Sequence, residues 1–205
     1  MIETALTIEC TTELTYDEFD VQKVQCRECE IGKHYDTVVL SEGCRNNPVV
    51  MIIGESPGCT EIEKKRPFIG LAGQKLRHTI GEFGFRTTNT IISNVIPCRP
   101  LDNKFPTDRQ LVMACVKRWL AQEIAILKPK FLLLLGNQAL TYVLGYKGIS
   151  SKRGEWYEGN CMPTYHPSYV LRKIREGDEQ CGMDFRTDIK EVADKAGFEY
   201  GKSSH

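Results

Sequence analysis

The chain has 205 residues, of which 41% are hydrophobic and 26% are charged. This length and composition predict one soluble globular domain with a substantial core, and they exclude a disordered chain and a pair of full-sized domains. The 27 basic residues balance the 27 acidic ones, and a net charge of zero at first argues against a protein that binds nucleic acid.

The balanced charge conceals three segments of different sign. Residues 1–30 hold eight acidic and two basic residues, and residues 176–205 hold eight acidic and four basic ones. The intervening residues 31–175 therefore carry a net charge of +10. A basic middle can bind a polyanion although the whole chain is neutral, but an ordinary solvated surface would give the same pattern.

Four short apolar runs predict β-strands, namely Val49–Ile53, Thr90–Asn94, Phe131–Leu135 and Met162–Tyr165. The first three runs show little alternation of apolar and polar residues, which is typical of strands buried on both faces of a parallel sheet. Apolar residues at helical spacing predict four helices, within residues 76–83, 112–127, 140–144 and 185–196. Thr107 and Gln110 form a capping-box pattern that predicts the start of the second helix.

This order of elements predicts a three-layer α/β/α sandwich around a central four-stranded parallel sheet. We expect one domain over residues 26–205, preceded by an acidic N-terminal extension over residues 1–25. In folds of this class the functional site lies at the carboxyl ends of the strands. The segments that directly follow the predicted strands are therefore the candidates for function.

Glycine-rich and polar segments follow three of the four predicted strands. They are Gly54–Gly58 (G-E-S-P-G) with Glu61 behind it, Arg66–Gly73 (R-P-F-I-G-L-A-G), Asn94–Pro100 (N-V-I-P-C-R-P) and His166–Arg172 (H-P-S-Y-V-L-R). A tight Gly/Pro loop after a buried strand lets backbone amides approach a ligand closely, although such loops are usually only turns.

The nine cysteines suggest a metal centre in a reducing compartment. Their number is odd for a disulfide framework, and the polar, acidic first 30 residues do not resemble a signal peptide. The longest apolar run, Phe131–Leu135, is also far too short to span a bilayer, so we expect a cytoplasmic protein. Cys26 and Cys29 form a C-x2-C pair, and Cys98 and Cys115 form a second pair. From the spacing alone, four such thiolates favour a zinc ion.

Taken together, the segments at the strand ends resemble the iron–sulfur-containing uracil-DNA glycosylases, the fourth family of the uracil-DNA glycosylase superfamily. The resemblance extends from about Cys26 to Arg172 and includes the Gly154–Tyr157 stretch. It implies the fold of that superfamily and the hydrolysis of the N-glycosidic bond of deoxyuridine in DNA. The chain departs from the family pattern at Lys65, where Gly is usual, and at Leu101, where a second Pro is usual.

The resemblance also changes the expected metal. It implies a [4Fe–4S] cluster bound by the four cysteines Cys26, Cys29, Cys98 and Cys115, with zinc as the alternative. We expect a structural role for the cluster, since hydrolysis of a glycosidic bond needs no electron transfer. The remaining cysteines are expected to be incidental thiols, namely Cys10, Cys44, Cys59, Cys161 and Cys181.

For the chemistry, the resemblance assigns three side chains to the base. Phe68 is expected to stack on a flipped uracil, Asn94 to read its edge, and His166 to donate a hydrogen bond to the departing anion. The Gly54–Gly58 loop has no Asp to position water, so the resemblance assigns that role to Glu61. Without the motifs, each of these residues would be interpreted as structural.

Further contacts are expected with the substrate and the DNA backbone. The expected substrate contacts are Glu55, Ser56, Gly58 and Ser168, and the expected DNA contacts are Lys65, Arg66, Arg99, Tyr169 and Arg172. The run Tyr169–Leu171 could wedge into the base stack, or Val170 and Leu171 could belong to the core.

The predicted partner is uracil-containing DNA, single- or double-stranded, bound by a monomer. Two alternatives stay open at the level of sequence. One is a weak or inactive glycosylase-fold module that binds DNA or a replication or repair partner. The other is an α/β scaffold held together by zinc with no role in nucleic-acid chemistry.

Overall fold

The computed structural model describes residues 3–9, 14–34 and 38–201. Its centre is a five-stranded sheet with the strand order β1-β3-β2-β4-β5. The strands are β1 (Glu42–Gly43), β2 (Val50–Gly54), β3 (Thr90–Asn94), β4 (Phe131–Leu135) and β5 (Cys161–Thr164). The predicted strands at 90–94 and 131–135 are confirmed, and the other two are each displaced by one residue.

The expectation of a purely parallel, four-stranded sheet is wrong. Strands β2 to β5 pair in parallel, but β1 adds an antiparallel edge strand through the pairs Glu42–Ile92 and Gly43–Ile91. No sequence pattern predicts β1, because a strand of two residues is too short to show any hydrophobic period.

Helices cover both faces of the sheet, so that it forms the middle of three layers. The helices are α1 (Tyr16–Val24), α2 (Glu30–His34), α3 (Cys59–Lys64), α4 (Leu71–Glu82), α5 (Arg109–Cys115), α6 (Ala121–Leu127), α7 (Gly136–Leu144), α8 (Pro167–Arg175) and α9 (Glu179–Ala196). Along β2, Met51 and Ile53 pack with α1, α5, α6 and α7, whereas Val50 and Ile52 pack with α4, α8 and α9. This alternation follows from the two-residue period of a strand.

The long helical segment before β4 begins one residue later than predicted. Asp108, rather than Thr107, is the N-cap of α5, and its carboxylate accepts hydrogen bonds from the backbone N–H groups of Gln110 (2.8 Å) and Leu111 (3.2 Å). A single π-helical stretch, Val116–Leu120, joins α5 to α6. The capping-box prediction was wrong because the carboxylate of Asp108, the next residue, accepts these hydrogen bonds instead.

Helix α1 belongs to the segment that we predicted as an acidic extension, yet it packs into the core. Phe19 is fully buried and meets Trp119 edge-on at 5.7 Å between ring centroids. Lys23 pairs with Glu123 of α6 at 2.9 Å, and both side chains are buried. The domain boundary at residue 25 stays a prediction, but α1 shares its core contacts with the elements behind that boundary.

Within the three described ranges, no helix is long and apolar enough to cross a membrane.

Candidate active site

A cavity of about 360 Å³ opens at the carboxyl ends of the parallel strands. All four segments singled out in the sequence contribute to its lining, as do Cys59 and Asn103 outside them. The lining residues are Ser56, Pro57, Gly58, Cys59, Glu61, Phe68, Ala72, Gly73, Asn94, Pro100, Asn103, His166 and Ser168. The parallel sheet brings these segments together, because the register of β2 and β3 aligns Gly54 with Asn94. The cavity therefore gathers the three side chains that we expected to contact the base.

Gly54, the last residue of β2, makes room for two of them. A Cβ atom at this position would lie 2.2 Å from Cζ of Phe68 and 2.6 Å from Oδ1 of Asn94. Neither separation is compatible with van der Waals radii, and both neighbours are buried, so a larger residue here would displace them. The absence of a side chain at Gly54 is thus a condition for bringing Phe68 and Asn94 together.

Phe68 adopts a backbone conformation that is unusual for a residue with a side chain. Its φ angle is 53°, in the left-handed region. Arg77 of α4 holds this turn from behind, since its guanidinium donates to the carbonyl oxygens of Phe68 (2.8 Å) and Pro67 (2.7 Å). Gly73 permits the close approach of α4, because a Cβ there would overlap the Phe68 carbonyl group. Arg77 was not among the predicted site residues, since no local pattern connects it with Phe68.

Asn94 presents an unsatisfied acceptor. Its side chain is buried, with 7% of the residue exposed, and its Oδ1 atom has no hydrogen-bond partner among the described residues. A buried polar atom without a partner is uncommon and unfavourable by about 1–3 kcal/mol. Because Asn94 also lines the cavity, an N–H donor on a ligand would satisfy this oxygen.

The hydrogen bonds of His166 determine which ring nitrogen carries the proton. His166 is the N-cap of α8, and its Nδ1 atom accepts a hydrogen bond from the backbone N–H of Ser168 (3.3 Å). The Ser168 hydroxyl lies 2.7 Å from the same nitrogen and can donate to it. The proton of the neutral ring is therefore on Nε2, which is left as a donor.

Burial keeps this histidine neutral. It lowers the pKa of His166 to about 4, so that the ring is uncharged at neutral pH. The ring also lies beside that of Phe68, with 6.1 Å between their centroids. A neutral N–H donor next to an aromatic face is suited to stabilising negative charge on a flat ligand.

The Glu61 carboxylate accepts hydrogen bonds from the backbone of the surrounding loops. Its Oε1 atom accepts from the N–H groups of Ile69 (2.9 Å) and Gly70 (2.7 Å), and its Oε2 atom accepts from that of Gly58 (3.2 Å). The carboxylate thereby fastens the loop after β2 to the Phe68 turn. These contacts hold two walls of the cavity together, and the water-positioning role that the resemblance implies for Glu61 stays a prediction.

Glu55 lies in a second depression that adjoins the first. This depression, of about 380 Å³, is also lined by Ser56, His166 and Ser168, which the two cavities share. Burial raises the pKa of the Glu55 carboxyl group. The two depressions thus meet at His166; Glu55 lines only the second, and Phe68 and Asn94 line only the first.

The residues expected to contact DNA differ in their hydrogen bonds and exposure. Arg66 forms a two-pronged pair with Glu42, through Nε (2.7 Å) and Nη2 (2.9 Å). Arg99 donates from Nε to Oδ1 of Asn103 (2.8 Å). Lys65 is exposed and ends α3.

In α8, the Tyr169 ring lies beside the guanidinium of Arg172, 5.2 Å away. Val170 is fully buried and Leu171 is half-buried. Val170 therefore belongs to the core and cannot serve as a wedge.

The four candidate metal ligands lie near one another at the junction of the N-terminal segment with α5. The pKa of the Cys98 thiol is raised to about 12, chiefly by burial and also by the neighbouring thiols of Cys26 and Cys29. The pKa of Cys115 is raised in the same way, by burial and by the other three cysteines. Cys26, Cys29 and Cys115 line one open cavity of about 770 Å³. Over the described ranges, no three His, Cys, Asp or Glu side chains are arranged to hold a single metal ion.

The Uracil DNA glycosylase superfamily model matches residues 40–188, which include every residue of the 360 Å³ cavity. The chain belongs to this superfamily. Within the superfamily it is similar to the type-4 uracil-DNA glycosylase of Pyrobaculum aerophilum, with 37% identity over 75% of this chain and 86% of the relative. Identity to the type-4 enzyme of Thermotoga maritima is 35%, over 72% of this chain and 79% of the relative.

A longer match joins the chain to the type-4 uracil-DNA glycosylase of Archaeoglobus fulgidus. It has 28% identity and covers 88% of this chain and 93% of the relative. The family resemblance inferred from the motifs is thus confirmed, and this member of the superfamily belongs with the type-4 glycosylases. Cys98 and Cys115 lie inside the superfamily match, whereas Cys26 and Cys29 precede it.

Proposed function

We propose that this protein is a DNA-repair enzyme that flips uracil out of DNA and hydrolyses its N-glycosidic bond, releasing uracil and leaving an abasic site. Membership of the type-4 glycosylases supports this activity. The observation that carries the proposal is the shared cavity of His166, Asn94 and Phe68, in which a neutral donor, an unsatisfied acceptor and an aromatic face surround one space.

Asn94 and Phe68 account for base selection. The unsatisfied Oδ1 atom of Asn94 can accept the N3–H of uracil while the amide nitrogen donates to O4. Cytosine has no proton on N3 and has an amine at position 4, so it would leave both groups of Asn94 mismatched. The Phe68 ring, held in place by Arg77, provides the stacking face for the extruded base.

His166 accounts for departure of the base. Negative charge develops on uracil O2 as the glycosidic bond breaks, and the Nε2–H of the neutral ring can donate to that oxygen. In a cavity shielded from water such a donor stabilises a transition state by about 3–4 kcal/mol. The depressed pKa of His166 means that this donor is available over the whole neutral range.

We assign the remaining site residues by their positions around the cavity. Through its three amide contacts, Glu61 holds the loop after β2, which borders the proposed site of the water nucleophile. Glu55, Ser56, Gly58 and Ser168 border the space that the deoxyribose and its water nucleophile would occupy. The flanking DNA backbone would pass over Lys65, Arg66, Arg99, Tyr169 and Arg172, all within the basic middle of the chain.

We propose that Cys26, Cys29, Cys98 and Cys115 bind a [4Fe–4S] cluster. The neighbouring thiols help to raise the pKa of Cys98 and Cys115, and a metal centre would offset this repulsion between thiolates. A zinc ion needs all four sulfurs about 2.3 Å from one point, whereas each cysteine of a cluster binds a different iron. Similarity to the type-4 glycosylases favours the cluster. When bound, it would cross-link the segment after α1 to the loop after β3.

Two measurements test the metal assignment. Broad absorbance at about 400 nm and about four irons per chain are expected for the purified protein, and both should be lost in Cys98→Ser. Cys161→Ser is a matched control, since Cys161 is also buried but lies in β5. One zinc per chain without that absorbance would refute the cluster.

The activity is tested with synthetic oligonucleotides that carry one uracil, in single strands and in U·G and U·A duplexes. The wild type should release uracil and leave a strand that alkali cleaves at the abasic site, and His166→Ala should not. Hydroxymethyluracil, hypoxanthine and thymine substrates define the base preference. No release from any uracil substrate would refute the proposed function. A monomer in the cytoplasm remains our expectation for the working protein.

A further inference from the structure

The carboxylate of Glu42 contacts two arginines that adjoin the Phe68 turn. Its Oε2 atom accepts a hydrogen bond from Nε of Arg66 (2.7 Å), and its Oε1 atom accepts one from Nη2 of the same guanidinium (2.9 Å). Nη2 of Arg77 lies 3.1 Å from Oε1 as well. Glu42 does not line the 360 Å³ cavity and belongs to none of the sequence segments singled out above, so its role follows from these contacts alone.

Arg77 connects Glu42 with the backbone that carries the stacking ring. Its guanidinium donates from Nε to the carbonyl of Phe68 (2.8 Å) and from Nη2 to that of Pro67 (2.7 Å), in addition to its contact with Glu42. A planar guanidinium with three acceptors at fixed places has little freedom to rotate. The left-handed conformation of Phe68 is unfavourable by itself and persists only where its surroundings enforce it. Glu42 helps to enforce it by orienting Arg77.

Glu42 also connects this turn with the strand that carries Asn94. It lies in β1, which pairs with β3, and β3 ends at Asn94. The next residue, Gly43, lets the two strands approach closely, because a Cβ atom there would lie 2.1 Å from the Thr90 carbonyl oxygen. Glu42 is thus joined through its backbone to the strand of Asn94 and through its side chain to the turn of Phe68. A change at Glu42 would alter the placement of one relative to the other.

The link depends on the negative charge of Glu42. Hydrogen bonds from Arg66 and the nearby charge of Arg77 hold the pKa of the Glu42 carboxyl group below its usual value, although partial burial acts in the opposite direction. Both carboxylate oxygens accept hydrogen bonds, whereas glutamine offers one oxygen and an NH2 group that would face an arginine donor. The Arg66 side chain is 60% exposed, and such exposed pairs contribute little to stability. Glu42→Gln should therefore disturb the position of the turn more than the stability of the fold.

We propose that Glu42 is a positioning residue for base selection. Through Arg77 it holds the Phe68 ring where that ring can stack on uracil, and through β1 it keeps the ring at a fixed distance from Asn94. Glu42 itself touches no substrate. The inference rests on the proposed glycosylase function, and it adds a residue outside the cavity on which binding of the base depends.

The kinetic test compares KM and kcat for a single-stranded uracil substrate between the wild type, Glu42→Gln, Phe68→Ala and the double variant. Stacking stabilises the bound base before and during bond cleavage alike, so its loss raises KM more than it lowers kcat. Glu42→Gln should raise KM by about tenfold and change kcat by no more than about twofold. The KM of the double variant should equal that of Phe68→Ala, because Glu42 acts through that ring.

Glu82→Gln is the matched control. Glu82 ends α4, its carboxylate pairs with Arg186 of α9, and its side chain is 33% exposed, against 23% for Glu42. This pair links two helices rather than two walls of the cavity, so Glu82→Gln should retain the wild-type KM and kcat. A general effect of losing one carboxylate–arginine pair would appear in both variants.

A spectroscopic test observes the Phe68 ring without substrate. In protein labelled with carbon-13 in its phenylalanine rings, the NMR signal of Phe68 is the one that Phe68→Ala removes. That signal should shift or broaden in Glu42→Gln and in Arg77→Lys, since lysine keeps the charge but lacks the planar fork that reaches two carbonyls and a carboxylate. It should stay in place in Glu82→Gln. Arg77→Lys also decides the question if Glu42→Gln does not fold.

Several results would overturn the proposal. The KM of Glu42→Gln could be unchanged, or the KM of the double variant could exceed that of Phe68→Ala by the factor that Glu42→Gln shows alone. The Phe68 signal could also stay in place in both Glu42→Gln and Arg77→Lys. If the wild type releases no uracil, the proposed function fails, and the NMR signals still decide whether Glu42 holds Phe68.

Discussion

The Nδ1 atom of His166 accepts a hydrogen bond from the backbone N–H of Ser168, two residues further along the same helix start. A backbone amide can only donate, so this contact requires a ring nitrogen without a proton. It therefore specifies the neutral tautomer with hydrogen on Nε2, and burial strengthens the same choice by lowering the pKa of the ring to about 4.

This arrangement predicts the pH dependence of the enzyme. Because the ring stays neutral until the pH approaches about 4, uracil release should show no loss from protonation of His166 between pH 8 and pH 5.5. The unfolded chain binds a proton at this residue near pH 6.5, so the contribution of neutral His166 to stability should decline as the pH falls from about 6.5 towards 4. Titration of the carbon-13-labelled ring by NMR measures the pKa directly. A midpoint near 6.5 would contradict the assignment.

Asn94 should be more important for binding than for folding. Its Oδ1 atom is unsatisfied in the free protein, so Asn94→Ala should lower the melting temperature little while reducing uracil release by about a hundredfold or more. Free uracil should raise the melting temperature of the wild type, since it binds only the folded state, and should not raise that of the variant. An equal shift in both proteins would place the uracil edge away from Asn94.

Substitution by alanine should have opposite effects at Gly54 and at Gly81. A Cβ at Gly54 would lie 2.2 Å from the Phe68 ring, so Gly54→Ala should displace Phe68 or Asn94 and abolish most activity. A Cβ at Gly81, an exposed position within α4, meets no atom within 4 Å. Gly81→Ala should therefore raise the free energy of unfolding by about 0.5–1 kcal/mol and leave activity unchanged. Denaturant unfolding and the uracil-release assay, applied to both variants, check this pair.

Replacing Glu61 by glutamine should distinguish a role in holding the two loops together from a role in activating water. The glutamine amide oxygen can keep the Ile69 and Gly70 contacts, but its NH2 group would face the Gly58 N–H, which leaves a donor against a donor. We expect the free energy of unfolding to fall by about 1–3 kcal/mol. We also expect the KM for single-stranded substrate to rise as the loops loosen. A large loss of kcat with unchanged stability would instead support direct activation of water by Glu61.

The buried pair Lys23–Glu123 should anchor the N-terminal helix. Burial alone raises the pKa of the Glu123 carboxyl group, but Lys23 and the hydroxyls of Ser41 and Tyr16 together hold it below its usual value. Lys23→Met would leave this carboxylate uncompensated and should lower the free energy of unfolding by about 3–5 kcal/mol at neutral pH.

Acidification and a double variant provide the controls for this pair. Since the folded-state pKa of Glu123 is depressed, its contribution to stability is present above the unfolded value near 4.5 and should disappear as the pH falls below it. The double variant Lys23→Met, Glu123→Leu should regain much of the lost stability, because no unpaired charge remains. Equal destabilisation by the single and the double variant would show that the pair is not energetically coupled.

Sequence alone determined the elements and the residues whose signal is local. The apolar runs at 90–94 and 131–135 specify strands because their composition suits a sheet buried on both faces. The rule that strand ends carry the site, together with the family motifs, selected Phe68, Asn94 and His166, and the structure places all three in one cavity.

The tertiary structure decided what depends on pairs of residues far apart in the chain. Arg77 of α4 contacts the carbonyl of Phe68, nine residues earlier, and Lys23 meets Glu123 one hundred residues away. The contacts of Glu61 likewise depend on which backbone amides the folded chain brings to its carboxylate. Hydrogen bonds and burial act over a few ångströms in space, so only the path of the folded chain brings such partners within range, and no local sequence pattern records them.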